Sequence, residues 1–105
     1  MLTRFETKGI YVTSGIQIDL NSNRLQRDSI QNLIDRHFRN DGDECKEDKV
    51  QNEYAIRNRD GRVVSIFKLD EYTKIFIITD GLHLANDPEY GRNYPMTTVM
   101  YAEEY

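Results

Sequence analysis

Lys74-Ile75-Phe76-Ile77-Ile78-Thr79-Asp80 sets four consecutive large apolar residues between charged ends. The run is too short for a core helix and rich in β-branched side chains, so it reads as a strand. Continuous rather than alternating apolarity predicts a central strand covered on both faces. Upstream, Arg62 to Leu69 carries Val63, Val64, Ile66 and Phe67, and Asp70-Glu71-Tyr72 separates it from Thr73 to Thr79. Two such runs joined by a tight polar turn predict a β-hairpin.

Working towards the N-terminus, Asp60-Gly61 is a turn signal. Before it lies a short helix, expected to start at Asp43 to Cys45 and end near Asn58, with Val50, Tyr54 and Ala55 facing the core. Glu44, Glu47 and Asp48 fall in or near its first turn, where the helix dipole favours negative charge. A longer helix is expected over Arg24 to Arg39. Leu25, Ile30, Leu33, Ile34 and Phe38 recur at helical spacing on one face. Asn21-Ser22-Asn23 offers N-cap residues before it, and Asn40-Asp41-Gly42 a stop after it. From Gly9 to Leu20, Ile10, Val12, Ile16, Ile18 and Leu20 alternate with polar residues, which predicts a strand or bent hairpin with a bulge at Ser14-Gly15. Towards the C-terminus, residues 81–96 form a long polar loop, functional or mobile, that holds both prolines, Pro88 and Pro95. A last strand follows at Thr97 to Tyr101.

The expected fold is therefore α+β over a single domain, residues 1–105. A small antiparallel sheet of about four strands carries one long and one short helix on one face, in the order β-α-α-β-β-β. A chain of this length buries roughly two-thirds of the surface its unfolded form exposes.

The net charge is −4, from 18 acidic and 14 basic residues. Phosphate-backbone binding rests on clustered Lys and Arg, so direct nucleic-acid binding is not expected. Arg24, Arg27, Arg36 and Arg39 are interrupted by Asp28 and Asp35, which predicts a salt-bridged solvent face. The single cysteine, Cys45, makes no internal disulfide, and no C-x-x-C pair offers a zinc site. The first eight residues lack a signal-peptide core, and no apolar run approaches the ~20 residues of a membrane span. A cytoplasmic protein without cofactor or metal is the expectation.

Several segments resemble a family of small proteins carried on plasmids, phages and integrative elements, mainly of Gram-positive bacteria. They are Tyr11-Val12-Thr13-Ser14-Gly15; Gly42 to Asn52, with Cys45, Glu47, Asp48 and Asn52 in register; Arg62 to Phe67; Lys74 to Asp80; and Thr97-Thr98-Val99-Met100 with Glu104-Tyr105. The chain departs from that pattern after the central strand, where Asp80 replaces a glutamate and a longer loop stands in place of an acid–arginine step. The resemblance implies residence on mobile DNA. Small proteins of that origin often block host defences, including CRISPR effector nucleases and restriction enzymes, and this expectation comes by association alone.

The leading functional expectation is thus a non-enzymatic inhibitor that binds a CRISPR effector nuclease and occludes its basic nucleic-acid or PAM-binding surface. Asp80, Leu82, Leu84, Asp87, Glu89, Tyr90 and Tyr94 would make the contact, since tyrosines give large area at low entropy cost and acids suit a basic partner. The alternative is a small metal-dependent, nuclease-like enzyme with an acidic cluster of Asp43, Glu47 and Asp48, joined by Asp80. Caps, dipole partners and turn formers account for the same acids. Glu71 with Lys74 resembles an acid–lysine nuclease pair, but the spacing is off and the pair sits in a turn. A thiolate pair of Cys45 with His37 or His83 has no recognisable oxyanion hole, and His37 reads as a core-rim residue. A regulatory module that only dimerises through an exposed strand edge is the third reading.

Overall fold

The computed structural model describes residues 3–105. Strand β1 (Gly9–Val12) leads into three helices, α1 (Ser14–Asn21), α2 (Arg27–Phe38) and α3 (Lys46–Asn58). Strands β2 (Val63–Lys68), β3 (Lys74–Asp80) and β4 (Met96–Tyr101) follow, with 3-10 turns at Leu82–Leu84 and Ala102–Glu104. The four strands form one sheet in the order β1-β4-β3-β2. The α+β class holds, as does the order of a strand, then helices, then three strands.

The β2–β3 hairpin matches its expectation closely, with Val63 opposite Thr79 and Lys68 opposite Lys74. Asp70 sets the turn by accepting from the N–H groups of Tyr72 and Thr73, both at 2.8 Å. Strands β3 and β4 are also antiparallel, but β1 pairs with β4 in parallel, so the sheet is mixed. The intervening helices carry the chain across the sheet, which is what a parallel pairing requires.

The expected hairpin over Gly9 to Leu20 is replaced by β1 and α1. Residues Ile16, Ile18 and Leu20 alternate, yet Ile16 and Leu20 are also four apart, and that pair is common to both periods. The helix wins because Ile16 and Leu20 are buried while Ile18 is 63% exposed. Asn21-Ser22-Asn23 accordingly ends α1 rather than capping α2. Ser22 and Asn23 donate back to Ile18 and Leu20, and Asn23 takes a left-handed φ of 63°. Helix α2 begins at Arg27, so Leu25 packs on the core from the linker. Helix α3 buries Asn52, Ala55 and Ile56, whereas Val50 and Tyr54 face solvent.

All three helices contribute to one core against one face of the sheet. Ile16, Ile30, Leu33, Ile34, Phe38, Ala55 and Ile56 meet Val63, Phe67, Ile75, Ile77 and Val99, with Phe5 and Leu82 completing the cluster. Among the described residues, no α-helix lies over the opposite face. Alternation along the strands places Val64, Ile66, Phe76, Ile78, Thr98, Met100 and Tyr11 there. Strand β3 is central as expected but is layered on one face only. Ile78 is buried outside the helix-side core, between its strand neighbours.

Candidate functional site

The expected acidic cluster is not assembled. Asp43 and Asp80 lie at opposite ends of the hairpin, since Asp43 binds Lys68 while Asp80 ends β3 beyond Thr79. Six residues of strand separate those ends, about 20 Å. Glu47 and Asp48 lie in the first turn of α3, where they complement the helix dipole. Among the described residues, no group of three or more His, Cys, Asp or Glu side chains is arranged to hold a metal ion.

Instead, the acids around Gly42 close the free edge of β2. Asn52 Oδ1 accepts from Val64 N–H at 3.0 Å, and its Nδ2 donates to Val64 C=O at 2.8 Å. Glu44 Oε1 accepts from Ile66 N–H at 3.1 Å, and Asp43 N–H donates to Ile66 C=O at 2.7 Å. Asp43 Oδ2 then accepts from Lys68 N–H at 3.0 Å. These groups satisfy the outer side of β2 as a neighbouring strand would. The Lys68 N–H, helped by the Arg36 guanidinium 3.1 Å from Asp43 Oδ1, holds the Asp43 carboxyl below the usual carboxylate range. Gly42 is required because a Cβ there would collide with the Glu44 carboxylate and press on the Ile66 carbonyl.

A second clamp joins the end of β1 and the start of α1 to the C-terminal 3-10 turn. Glu104 Oε1 accepts from the Thr13 hydroxyl at 2.7 Å and Tyr101 N–H at 2.9 Å, and Oε2 accepts from Gly15 N–H at 3.2 Å. These bonds, that from Thr13 foremost, hold the Glu104 carboxyl low. Gly15 leaves room for the carboxylate, since a Cβ would lie 2.8 Å from Oε2. Beside it, Tyr101 donates its hydroxyl proton to Asp19. Burial first, and that bond second, raise the phenol above its ordinary range.

His37 lies at the centre of the core rather than at its rim, fully buried. A chain of bonds runs from Ser65 through His37, Thr79 and Thr97 to Thr7, at 2.7 to 2.8 Å per step. Its polarity fixes the tautomer. Thr97 donates to Thr7, so Thr79 donates to Thr97 and accepts from His37 Nε2–H. Nδ1 then accepts from the Ser65 hydroxyl. Burial drives His37 down to about 3, so the ring is neutral. Ser65 is as buried as His37, so no substrate reaches the pair. Cys45 caps α3 on the exterior, well apart from this buried ring, and His83 lies in the exposed 3-10 turn.

The loop after β3 is ordered into turns and divides the expected contact residues. Leu82 joins the core, and Tyr94 packs over Gly81, whose φ of 77° and lack of Cβ admit the ring. Asp87 is a turn former, accepting from Glu89 and Tyr90 N–H. Leu84 is half-buried, while Glu89 and Tyr90 are exposed. The loop leaves from Asp80 and returns at Met96, which are register partners on the open face of the sheet. Tyr105 lies on that face too, edge-on to Phe76 with centroids 5.7 Å apart, and its hydroxyl accepts from Arg62 at 2.8 Å. The open face was not anticipated as a site. Its signal in the sequence is the second apolar set in each strand, Val64, Ile66, Phe76 and Met100, for which no further helix exists.

No family model, curated protein or solved structure matches this chain. Among the described residues, no helix is long and apolar enough to cross a membrane.

Proposed function

We propose that this chain is a non-enzymatic binding protein of a mobile element, which inhibits a CRISPR effector nuclease by covering part of its basic nucleic-acid surface. The observation that carries the reading is the open sheet face. Val64, Ile66, Phe76 and Met100, all half-buried, form with Thr98 a largely apolar surface that no α-helix among the described residues covers, with Tyr11 and Tyr105 on the same face. Asp80 ends β3 on that face, the loop that follows exposes Glu89 and Tyr90 as a negative charge and an aromatic anchor, and the net charge of −4 steers towards a basic partner. Of the carboxylates that a catalytic reading would use, Asp43 is bonded to Lys68 N–H and Arg36, and Glu47 and Asp48 lie in the first turn of α3.

The test is retention of purified CRISPR effectors on immobilised protein at low and high salt. One effector should be retained, less so at high salt. Tyr90→Ala and Met100→Lys should each weaken it by about tenfold or more while leaving the melting temperature unchanged. Failure to retain any effector, or retention indifferent to both substitutions, would overturn the proposal.

A further inference from the structure

The two edges of the sheet are treated differently. The β2 edge is closed by Asp43, Glu44 and Asn52. The β1 edge has no such cover among the described residues. Thr13 N–H bonds Val99 C=O where Val12 is opposite Val99, so the amides of residues 11 and 13 face β4, while at the start of the strand it is Lys8 N–H that donates to Pro95 C=O. Those of Ile10 and Val12 therefore point outward, and among the described residues neither makes a backbone or side-chain bond on that side. Soluble proteins usually protect such an edge with charge, proline or a bulge. Gly9-Ile10-Tyr11-Val12 holds no charge or proline, is guarded only by its shortness and by Lys8 before it, and exposes Ile10 at 45% and Tyr11 at 55%.

We infer that β1 is a self-association edge, pairing antiparallel with β1 of a second copy about a two-fold axis through Tyr11. The register follows from the outward amides. Ile10 and Val12 of opposite copies form hydrogen-bonded pairs, and the two Tyr11 residues meet in the closer, non-hydrogen-bonded pair at the centre. Ile10 and Val12 extend the helix-side apolar surface across the junction, and the tyrosines stack on the open face. Two four-stranded sheets thereby become one, with both open faces on the same side. The inference does not depend on the function proposed above.

A contact of four residues per strand is small, so dissociation on the order of micromolar is expected. Sedimentation of the full chain from about 1 µM to about 1 mM should show a monomer–dimer equilibrium. Tyr11→Glu places like charges across the axis and should shift it towards monomer by at least about tenfold. A second variant reads the register directly and does not rely on that substitution folding. Tyr11→Cys in a Cys45→Ser background should oxidise to a disulfide-linked dimer, because a non-hydrogen-bonded pair sets Cα atoms about 4.5 Å apart, within disulfide reach. Met100→Cys in the same background, two strands' width from the axis, should not cross-link. A chain that stays monomeric throughout the range overturns the inference. So does a dimer that cross-links through Met100 rather than Tyr11, which would place the contact on the open face.

Discussion

His37 is neutral because both ring nitrogens are committed. Nε2–H donates to Thr79 and Nδ1 accepts from Ser65, so a second proton would meet a hydroxyl already donating to the ring. Burial lowers the folded value to about 3, against 6.5 for an ordinary histidine. Between those values the unfolded chain binds a proton that the folded chain refuses, so stability falls as the pH drops from 6.5 to 3. The slope is roughly 1 kcal/mol per pH unit. His37→Asn should be less stable at pH 7, since Ser65 or Thr79 loses a partner in the core, by about 1–3 kcal/mol. Its urea midpoint should also fall less steeply below pH 6.5. Equal slopes for the two proteins would mean that His37 does not control the acid limb. The helical spacing placed His37 beside the apolar stripe but gave no hint of the chain of bonds. Its partners Ser65, Thr79 and Thr97 lie far away in sequence and read as ordinary strand residues.

Among the elements, β2 shows how polar side chains can replace a strand. Asn52→Ala would remove a donor and an acceptor at once, leaving Val64 N–H and C=O unpaired, and should cost about 2–4 kcal/mol. Gly42→Ala should cost about 1–3 kcal/mol by displacing Glu44 from Ile66 N–H. Asp48→Asn, on the exposed first turn of α3, should stay within about 0.5 kcal/mol. Chemical denaturation ranks the three. An Asp48 variant as damaged as the Asn52 variant would contradict this account of the acidic segment. Hydrogen exchange gives a residue-level check, since the amide of Val64 should lose protection in Asn52→Ala while that of Lys68, held by Asp43, should keep it. The acids between Gly42 and Asn52 stood out in the sequence, but their task was hidden because it depends on β2, which comes later in the chain. The hairpin was legible because its signals are local: two apolar runs and an aspartate-led turn. Helix α1 was not, because Ile16 and Leu20 fit a strand as well as a helix, and only the packing of their neighbours distinguishes the two.

For the whole molecule, the perturbed groups act together to bound a window of pH. Asp43, Glu53 and Glu104 are all held below the ordinary carboxylate range, by Lys68 N–H, by Arg4 and by Thr13 respectively. A lowered folded value gives stability that is present above the unfolded pKa and lost as the pH falls through the folded one. These three therefore reinforce the loss due to His37, but at lower pH, in and below the ordinary carboxylate range. Tyr101 has the opposite sign. Its folded value lies above the ordinary 10.0, so the neutral phenol donating to Asp19 stabilises the fold below pH 10, and that contribution is lost as the pH rises further. Melting temperature should therefore be nearly level between about pH 7 and pH 9.5, fall below 6.5, and fall again above 10. The limbs are separable because their groups lie in different parts of the fold. Tyr101→Phe removes the bond between β4 and α1 and should flatten only the alkaline limb, while His37→Asn should flatten only the upper part of the acid limb. If Tyr101→Phe left the alkaline limb unchanged, the hydroxyl would not be linking α1 to the sheet, and that docking would rest on Ile16, Leu20 and the Glu104 clamp alone.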